Sequence, residues 1–233
     1  MACLSALIRL QPVPVDLLLY FRRPSARITC QYASLSLGLA VLMAAVPAFP
    51  PAGMGFQGAA ARQRILVDDF ERTDPENALG KRPGAFADPK GLGYCYVFFT
   101  AKEDQTWGGK GHSLYLKFET SKPGSWGGYW TDLNHLNLKE SNFLTFYLKG
   151  LQGGEQFKVG LRGERESERE TKLLIGEVLA GGVTTEWQKV SIPLRLFQEI
   201  RNWDDVNILS FSFEFAAGSR SGAVLIDEIA FEK

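Results

Sequence analysis

The chain has 233 residues, 45% of them hydrophobic and 12% aromatic, and its 26 basic and 26 acidic side chains leave a formal net charge of zero. This neutral balance lacks the basic surface expected of a nucleic-acid-binding protein, and the hydrophobic content excludes a wholly disordered chain. The length suffices for one well-buried domain with a tail.

Residues 1–63 differ in composition from the rest of the chain. A basic segment with Arg22, Arg23 and Arg27 precedes an apolar run at residues 34–48, which is followed by small residues, glycine and proline. This order is typical of a secretory signal, and the run is shorter than the roughly 20 residues of a membrane-spanning helix. Two small-residue cleavage sites fit, at residues 46–48 and 59–61. We therefore predict a leader and linker over 1–63 and export from a bacterial cell to the periplasm, the cell surface or the medium.

The remaining residues, 64–233, alternate between apolar and polar side chains. The segments "FLTFYLKG", "QFKVGLRGE" and "ILSFSFEF" show this alternation, and glycine-rich turns such as "GLQGGE" and "AAGSRSG" separate such segments. One-sided alternation is typical of antiparallel strands with one face in a core. The pattern predicts an all-β antiparallel sandwich of eight to ten strands. The charged run "GERESERETK" is expected to form a solvated loop, and only "RLFQEIRNWDD" has room for a short helical turn.

The cysteines offer little material for metal chemistry. Cys3, Cys30 and Cys95 show none of the paired spacing that a zinc site needs. For Cys95, inside the predicted domain, we expect a small buried thiol.

The order of five segments resembles that of galactose-binding-like jelly rolls, and among them the carbohydrate-binding modules of the family 11 type and their bacterial relatives. These segments are "DDFE", "GHSLYLKFE", "NFLTFYLKG", "GGVTTEWQKVSIPL" and "VLIDEIAFE". The resemblance covers about residues 65–233. It implies a jelly-roll β-sandwich and a non-catalytic domain that binds a polysaccharide or oligosaccharide on a concave sheet face.

The resemblance also implies a structural calcium ion that links the first strand to the last. The matching ligands are Asp69 or Glu71, the backbone carbonyls of residues 110–112, and Asp227. Calcium takes six to eight oxygen ligands and tolerates irregular geometry. Independently, Asp227 has the strand parity of the apolar residues that follow it, so we expect it to point inward, where a carboxylate needs a partner. The alternative is that Asp227 caps backbone amides or pairs with a basic residue.

Aromatic and polar side chains on outward strand faces form the predicted sugar-binding surface. A pyranose ring stacks its apolar face on a flat aromatic ring, while planar polar groups bind its hydroxyls. The segment "GSWGGYWTDL" and the outward positions of three strands supply its six members: Trp126, Tyr129, Trp130, Tyr147, Arg162 and Glu214. The alternative for Trp126 and Trp130 is packing over the edge of the sandwich. Trp107 is a further candidate, whereas Trp187 and Trp203 are expected to be structural.

Catalysis is not predicted. A glycosidase needs two carboxyl groups at a defined separation, and only Glu214 is clearly placed on an outward strand face. His112 and His135 have no Gly-x-Ser-x-Gly segment to accompany them. The second reading of the sequence is a structural or assembly protein of the cell envelope that uses the same sandwich to bind another protein.

Overall fold

The computed structural model describes residues 63–72, 75–163 and 169–233. The predicted leader, apart from its last residue, and the centre of the charged loop therefore lie outside the described residues. The strands are β1 (Arg64–Asp68), β2 (Pro83–Ala87), β3 (Tyr94–Thr100), β4 (Ser113–Glu119), β5 (Trp126–Leu136), β6 (Phe143–Gly150), β7 (Lys158–Gly163), β8 (Thr171–Leu174), β9 (Gln188–Pro193), β10 (Val206–Glu214) and β11 (Ser221–Glu232).

The strands form two antiparallel sheets. Sheet A has the order β3-β4-β11-β6-β9, and β1 also pairs with β11; sheet B has the order β2-β5-β10-β7-β8. Every pairing in both sheets is antiparallel. The predicted all-β sandwich is confirmed, because each sheet buries one face against the other.

Aromatic side chains from both sheets fill the space between them. Phe118 of β4 stacks on Phe213 of β10, with ring centroids 4.1 Å apart, and Phe211 meets Phe146 edge-on at 5.4 Å. All four are at most 1% exposed. Because alternate residues of each strand point to opposite faces, this packing leaves the serines between Leu209 and Phe213 on the outer face of sheet B.

Helical structure is limited to short segments in the described part of the chain. The four-residue helix α1 (Ile175–Val178) follows β8, where no helix was predicted, and 3₁₀ turns include Leu194–Leu196 and Phe215–Ala217. Only the first of these two turns touches the "RLFQEIRNWDD" segment. None of the described helices is long and apolar enough to cross a membrane.

A β-bulge in β11 changes the side-chain phase of that strand. Asp227 lies opposite Tyr147 and Ala230 lies opposite Thr145, so three steps on β11 match two on β6, and Glu228 between them has a φ of 53°. The prediction that Asp227 shares the inward parity of the residues after it is therefore wrong. Asp227 is buried, but under the segment before β4 and not between the sheets.

Candidate functional site

The outer face of sheet B carries a groove of about 680 Å³. We call it the sheet B groove. It has an aromatic wall on β2 and β5, a polar wall on β7, β8 and the end of β10, and a floor on β10.

The aromatic wall consists of Phe86, Trp126 and Trp130. Trp126 and Trp130 have the same parity on β5, and the ring of Phe86 from β2 lies 5.9 Å from that of Trp126. Glycines opposite them make the room: a Cβ at Gly84 would lie 2.7 Å from the Trp130 indole, and one at Gly128 would lie 2.4 Å from the Phe86 ring. The rings of Trp130 and Phe86 thus each lie over a glycine on the neighbouring strand, so both strands hold the wall in place.

The polar wall is a chain of opposite charges beside Arg162. Lys158 Nζ lies 2.7 Å from one carboxylate oxygen of Glu214, and Lys172 Nζ lies 3.3 Å from the other and 3.4 Å from Glu170. Burial alone would raise the pKa of Glu214, but the hydrogen bond from Lys158 and the charges of both lysines outweigh it and hold that pKa below its ordinary value. With Arg162, three positive charges lie beside two negative charges, so the polar wall offers both donors and acceptors to a ligand.

Two buried serine hydroxyls of the groove have no hydrogen-bond partner among the described residues. Ser125 and Ser212 are each 1% exposed, and both line the groove. Ser210, the neighbouring outward residue to Ser212 on β10, instead donates a hydrogen bond to Glu170. An unpaired buried hydroxyl costs about 1–3 kcal/mol.

Four of the six predicted sugar-binding residues come together in this groove: Trp126, Trp130, Arg162 and Glu214. They belong to three neighbouring strands of sheet B, because β10 pairs with β5 on one side and with β7 on the other. Arg162 lines the groove from β7, beside the chain of opposite charges.

Tyr129 does not belong to the site. It lies between Trp126 and Trp130 in sequence, but its odd offset from both turns its ring into the core, where it is 1% exposed and near Phe211. The prediction that Tyr129 is on the exposed face is wrong.

Tyr147 points outward as predicted, but it does so from the other sheet. It belongs to β6 of sheet A, and its ring stacks on Trp107 with centroids 3.8 Å apart. Trp187 meets Trp107 edge-on at 6.0 Å. Tyr147 and Arg162 therefore do not share a groove floor. For Tyr147 and Arg162, the sequence pattern predicted the correct side of each strand but not the sheet to which the strand belongs.

Sequence reasoning missed Phe86 and the two unpaired serines. The only available signal for Ser212 was its place on the polar face of "ILSFSFEF", where small side chains leave a depression between larger neighbours. Phe86 lies on a short strand, "PGAFA", that has no clear alternation. The pairing of that strand with β5 could not be read from the sequence.

The predicted calcium ligands lie around the segment that precedes β4. Asp227 Oδ2 accepts hydrogen bonds from Ser113 Oγ at 2.5 Å and from the Trp107 amide at 3.3 Å, and Glu71 Oε1 accepts one from the His112 amide at 2.8 Å. Asp69 instead accepts a bond from the Glu71 amide within its own turn, at 3.3 Å. No group of three or more metal-ligating side chains occurs among the described residues.

Burial makes the Asp227 carboxyl group a weaker acid. It raises the pKa of Asp227 to about 6, although hydrogen bonds from Ser113 and two backbone amides lower that pKa. The alternative of backbone-amide capping thus describes what the Asp227 carboxylate does in this structure. Cys95 is buried as expected, and burial raises the pKa of its thiol to about 12.

Known proteins similar to this chain are carbohydrate-binding modules. The family model for carbohydrate binding domain 30 matches residues 96–233, more than half of the chain. No curated protein matches the chain. Among solved structures, a family 11 carbohydrate-binding module from Clostridium thermocellum, in complex with a β-1,3-1,4-mixed-linked tetrasaccharide, is 12% identical with a TM-score of 0.55, over 72% of this chain and 94% of that one.

Two family 30 modules are also similar in structure. One is 21% identical with a TM-score of 0.55, over 73% of this chain and 87% of the module. The other, from a cellulosomal cellulase of Clostridium thermocellum, is 22% identical with a TM-score of 0.52, over 72% and 96% of the two chains. At these identities the structures establish a shared fold.

Proposed function

The chain belongs to the carbohydrate binding domain 30 family, and on that premise we propose that it binds a polysaccharide or oligosaccharide in the sheet B groove without acting on it chemically. The observation that carries this proposal is the composition of the groove: an aromatic wall faces a polar wall across a floor with unpaired hydroxyls. Sugar rings need both kinds of surface, because they have apolar faces and a polar rim.

In the proposed complex, Trp126 and Trp130 stack on sugar rings, while Arg162 and Glu214 bind hydroxyl groups. The Lys158 and Lys172 ammonium groups hold Glu214 in its ionised form, so it acts as an acceptor. The Ser125 and Ser212 hydroxyl groups, which have no partner among the described residues, lie in the same groove. The walls are held by strand pairing before the ligand arrives, which lowers the entropy lost on binding.

The test is affinity for a soluble mixed-linkage β-glucan and its oligosaccharides, measured by affinity electrophoresis and calorimetry on the full chain. Trp130→Ala should weaken binding about tenfold or more, which corresponds to ~1.4 kcal/mol. Tyr147→Ala is the matched control, because it removes an aromatic ring from the opposite sheet and should leave affinity unchanged. Undiminished binding by a Trp126→Ala, Trp130→Ala double variant would refute the proposed site.

For calcium, two carboxylates that approach one segment fit part of an ion site. Glu71 contacts the His112 amide and Asp227 contacts Ser113, so both reach residues 112–113, and Gly111 has a φ of 73° with Glu71 oxygens where a side chain would otherwise lie. Calcium accepts its other oxygens from backbone carbonyls and water. We propose that Glu71, Asp227 and carbonyls of residues 110–112 hold a calcium ion, which would neutralise the buried charge of Asp227; Asp69 is turned to its own backbone and is not included.

We also propose that the protein works outside the cytoplasm, where plant or microbial polysaccharides occur. The signal-like composition of residues 1–63 supports this location. For the envelope-scaffold reading, neither the family match nor the similar structures offer support.

A further inference from the structure

The strand at one edge of sheet A carries a row of exposed aromatic side chains. Tyr94, Tyr96 and Phe98 of β3 share the outward face, with ring centroids 4.6 and 6.2 Å apart along the row. The exposed fractions of Tyr94, Tyr96, Phe98 and Phe99 are 37%, 52%, 50% and 53%. A soluble domain rarely leaves so much contiguous apolar surface uncovered without a use for it.

The backbone of β3 is as open as its side chains. β3 pairs with β4 over seven residues without a bulge, and within the described residues it has no partner strand on its other side. It also contains no proline and no charged residue, which are the usual protections of a sheet edge. The other edge strands have such protection: Pro83 in β2, Lys172 in β8, and Lys189 and Pro193 in β9.

The geometry of the rings disfavours a flat sugar surface as the occupant. Stacking on a planar polysaccharide requires coplanar rings, but Tyr94 and Tyr96 are inclined by 46° to each other, and Tyr96 and Phe98 by 38°. A protein strand meets both features of β3, because it hydrogen-bonds to the open backbone and packs side chains against inclined rings.

We propose that β3 pairs antiparallel with β3 of a second copy of this chain, which joins the two copies of sheet A into one continuous sheet. A strand without charge is complementary to itself across a twofold axis, since no like charges meet. About half of each of four large aromatic side chains would be covered, on the order of 400 Å² per copy when a whole ring buries 150–250 Å². Both copies together reach about half of a standard interface of ~1,600 Å², and the paired backbones and flanking residues add to this.

One register places most aromatic rings opposite each other. With Tyr96 on the twofold axis, it faces its own counterpart, and Tyr94 faces Phe98 of the second copy in two symmetric pairs. Because this axis is normal to sheet A, the two sheet B grooves face the same side of the assembly. If the grooves bind glycan as proposed above, the dimer would engage one polysaccharide surface bivalently.

The first experiment measures the mass of the full chain by light scattering over a dilution series, in the absence of any glycan. The parent should have twice the mass of a single chain at high concentration, and Tyr96→Lys with Phe98→Lys should reduce it to that of one chain. Leu151→Lys is the matched control, because Leu151 is an exposed apolar residue outside β3 that is 39% exposed. A parent that is monomeric throughout, or a dimer that survives both lysines, overturns the proposal.

A second variant tests the register and does not rely on the lysine variants folding. In a chain with Cys3→Ser and Cys30→Ser, Tyr96→Cys should form an intermolecular disulfide under mild oxidation, because opposed residues of antiparallel strands have suitable Cα separations. Phe98→Cys should not, since its counterpart is Tyr94. Absence of the Tyr96→Cys crosslink, or equal crosslinking of both variants, contradicts the proposed pairing. Since neither measurement involves glycan, each result stands apart from the outcome for the groove.

Discussion

Asp227 and Asp68 are carboxyl groups in places that disfavour their charge. Both are less than 5% exposed, and burial raises the pKa of each to about 6 from an ordinary value of 3.8. Between these values the folded state binds more protons than the unfolded state. The stability that protonation of these groups contributes is therefore present at acidic pH and is lost as pH rises through about 6. A cation bound to the Asp227 carboxylate would offset this loss of folding stability at neutral pH.

We expect calcium to raise the melting temperature of the full chain at pH 7, because it compensates the charge of Asp227. The rise should be smaller at pH 4.5, where a proton already occupies that carboxyl group. Asp227→Asn should abolish the response, while Glu140→Gln, which alters an exposed carboxylate paired with Lys233, should retain it. Scanning calorimetry with chelator, calcium and magnesium measures all three. An unchanged melting temperature in calcium and chelator would exclude the ion.

At the scale of elements, two paired strands build the aromatic wall, because a ring on each strand lies opposite a glycine on the other. Trp130 of β5 lies over Gly84 of β2, and Phe86 of β2 lies over Gly128 of β5. A glycine normally weakens a strand, but here the missing side chain makes room for a ring from the neighbouring strand. The register between β2 and β5 therefore sets the position of both rings in the proposed site.

Gly84→Ala should weaken glycan binding about as much as Trp130→Ala, because its Cβ would lie 2.7 Å from the indole and force the ring to move. The free energy of unfolding should change by less than about 1 kcal/mol, since alanine suits an edge strand better than glycine does. Ala85→Ser, the next residue on the same strand, is the control and should bind normally. Calorimetric titration and chemical denaturation separate the two effects; retained affinity in Gly84→Ala would show that the ring position is not essential.

Considered as a whole, the molecule separates its aromatic core from the proposed binding surface. The rings that hold the sheets together, such as Phe118 and Phe213, are fully enclosed, whereas the groove uses side chains of the opposite parity on the same strands. The enclosed rings thus belong to the interior of the sandwich, and the proposed binding residues belong to the outer face of sheet B.

Phe213→Ala should destabilise the fold by about 3–5 kcal/mol, since it removes a stacked ring that the two sheets enclose. Leu151→Ala, at an exposed position, should change stability by less than about 0.5 kcal/mol. Guanidinium denaturation followed by tryptophan fluorescence provides both values. A small loss for Phe213→Ala would mean that the sheets close over the cavity, and that the core is less rigid than its packing indicates.

The site was only partly predictable, for reasons that differ between residues. The outward direction of four side chains could be read from the sequence: Trp126, Trp130, Arg162 and Glu214. They meet in one groove because their strands are neighbours in sheet B. The prediction for Tyr129 was wrong because its side chain points to the inner face of β5. Tyr147 points outward as predicted, but its strand belongs to sheet A. The position of Phe86 depends on a pairing between segments more than forty residues apart, as in the pair of Phe86 with Gly128.

Taken alone, the sequence determined the all-β class, the alternation that buries one face of each strand, and the resemblance to carbohydrate-binding modules. These are local properties, because the side-chain direction along a strand depends only on neighbouring residues. Tertiary structure decided which strands share a sheet, where the bulge at Glu228 changes the phase of β11, and which aromatic residues face one groove. Such features depend on strand pairings between distant segments, and the free energy that selects one pairing over another arises only when the whole sandwich is packed.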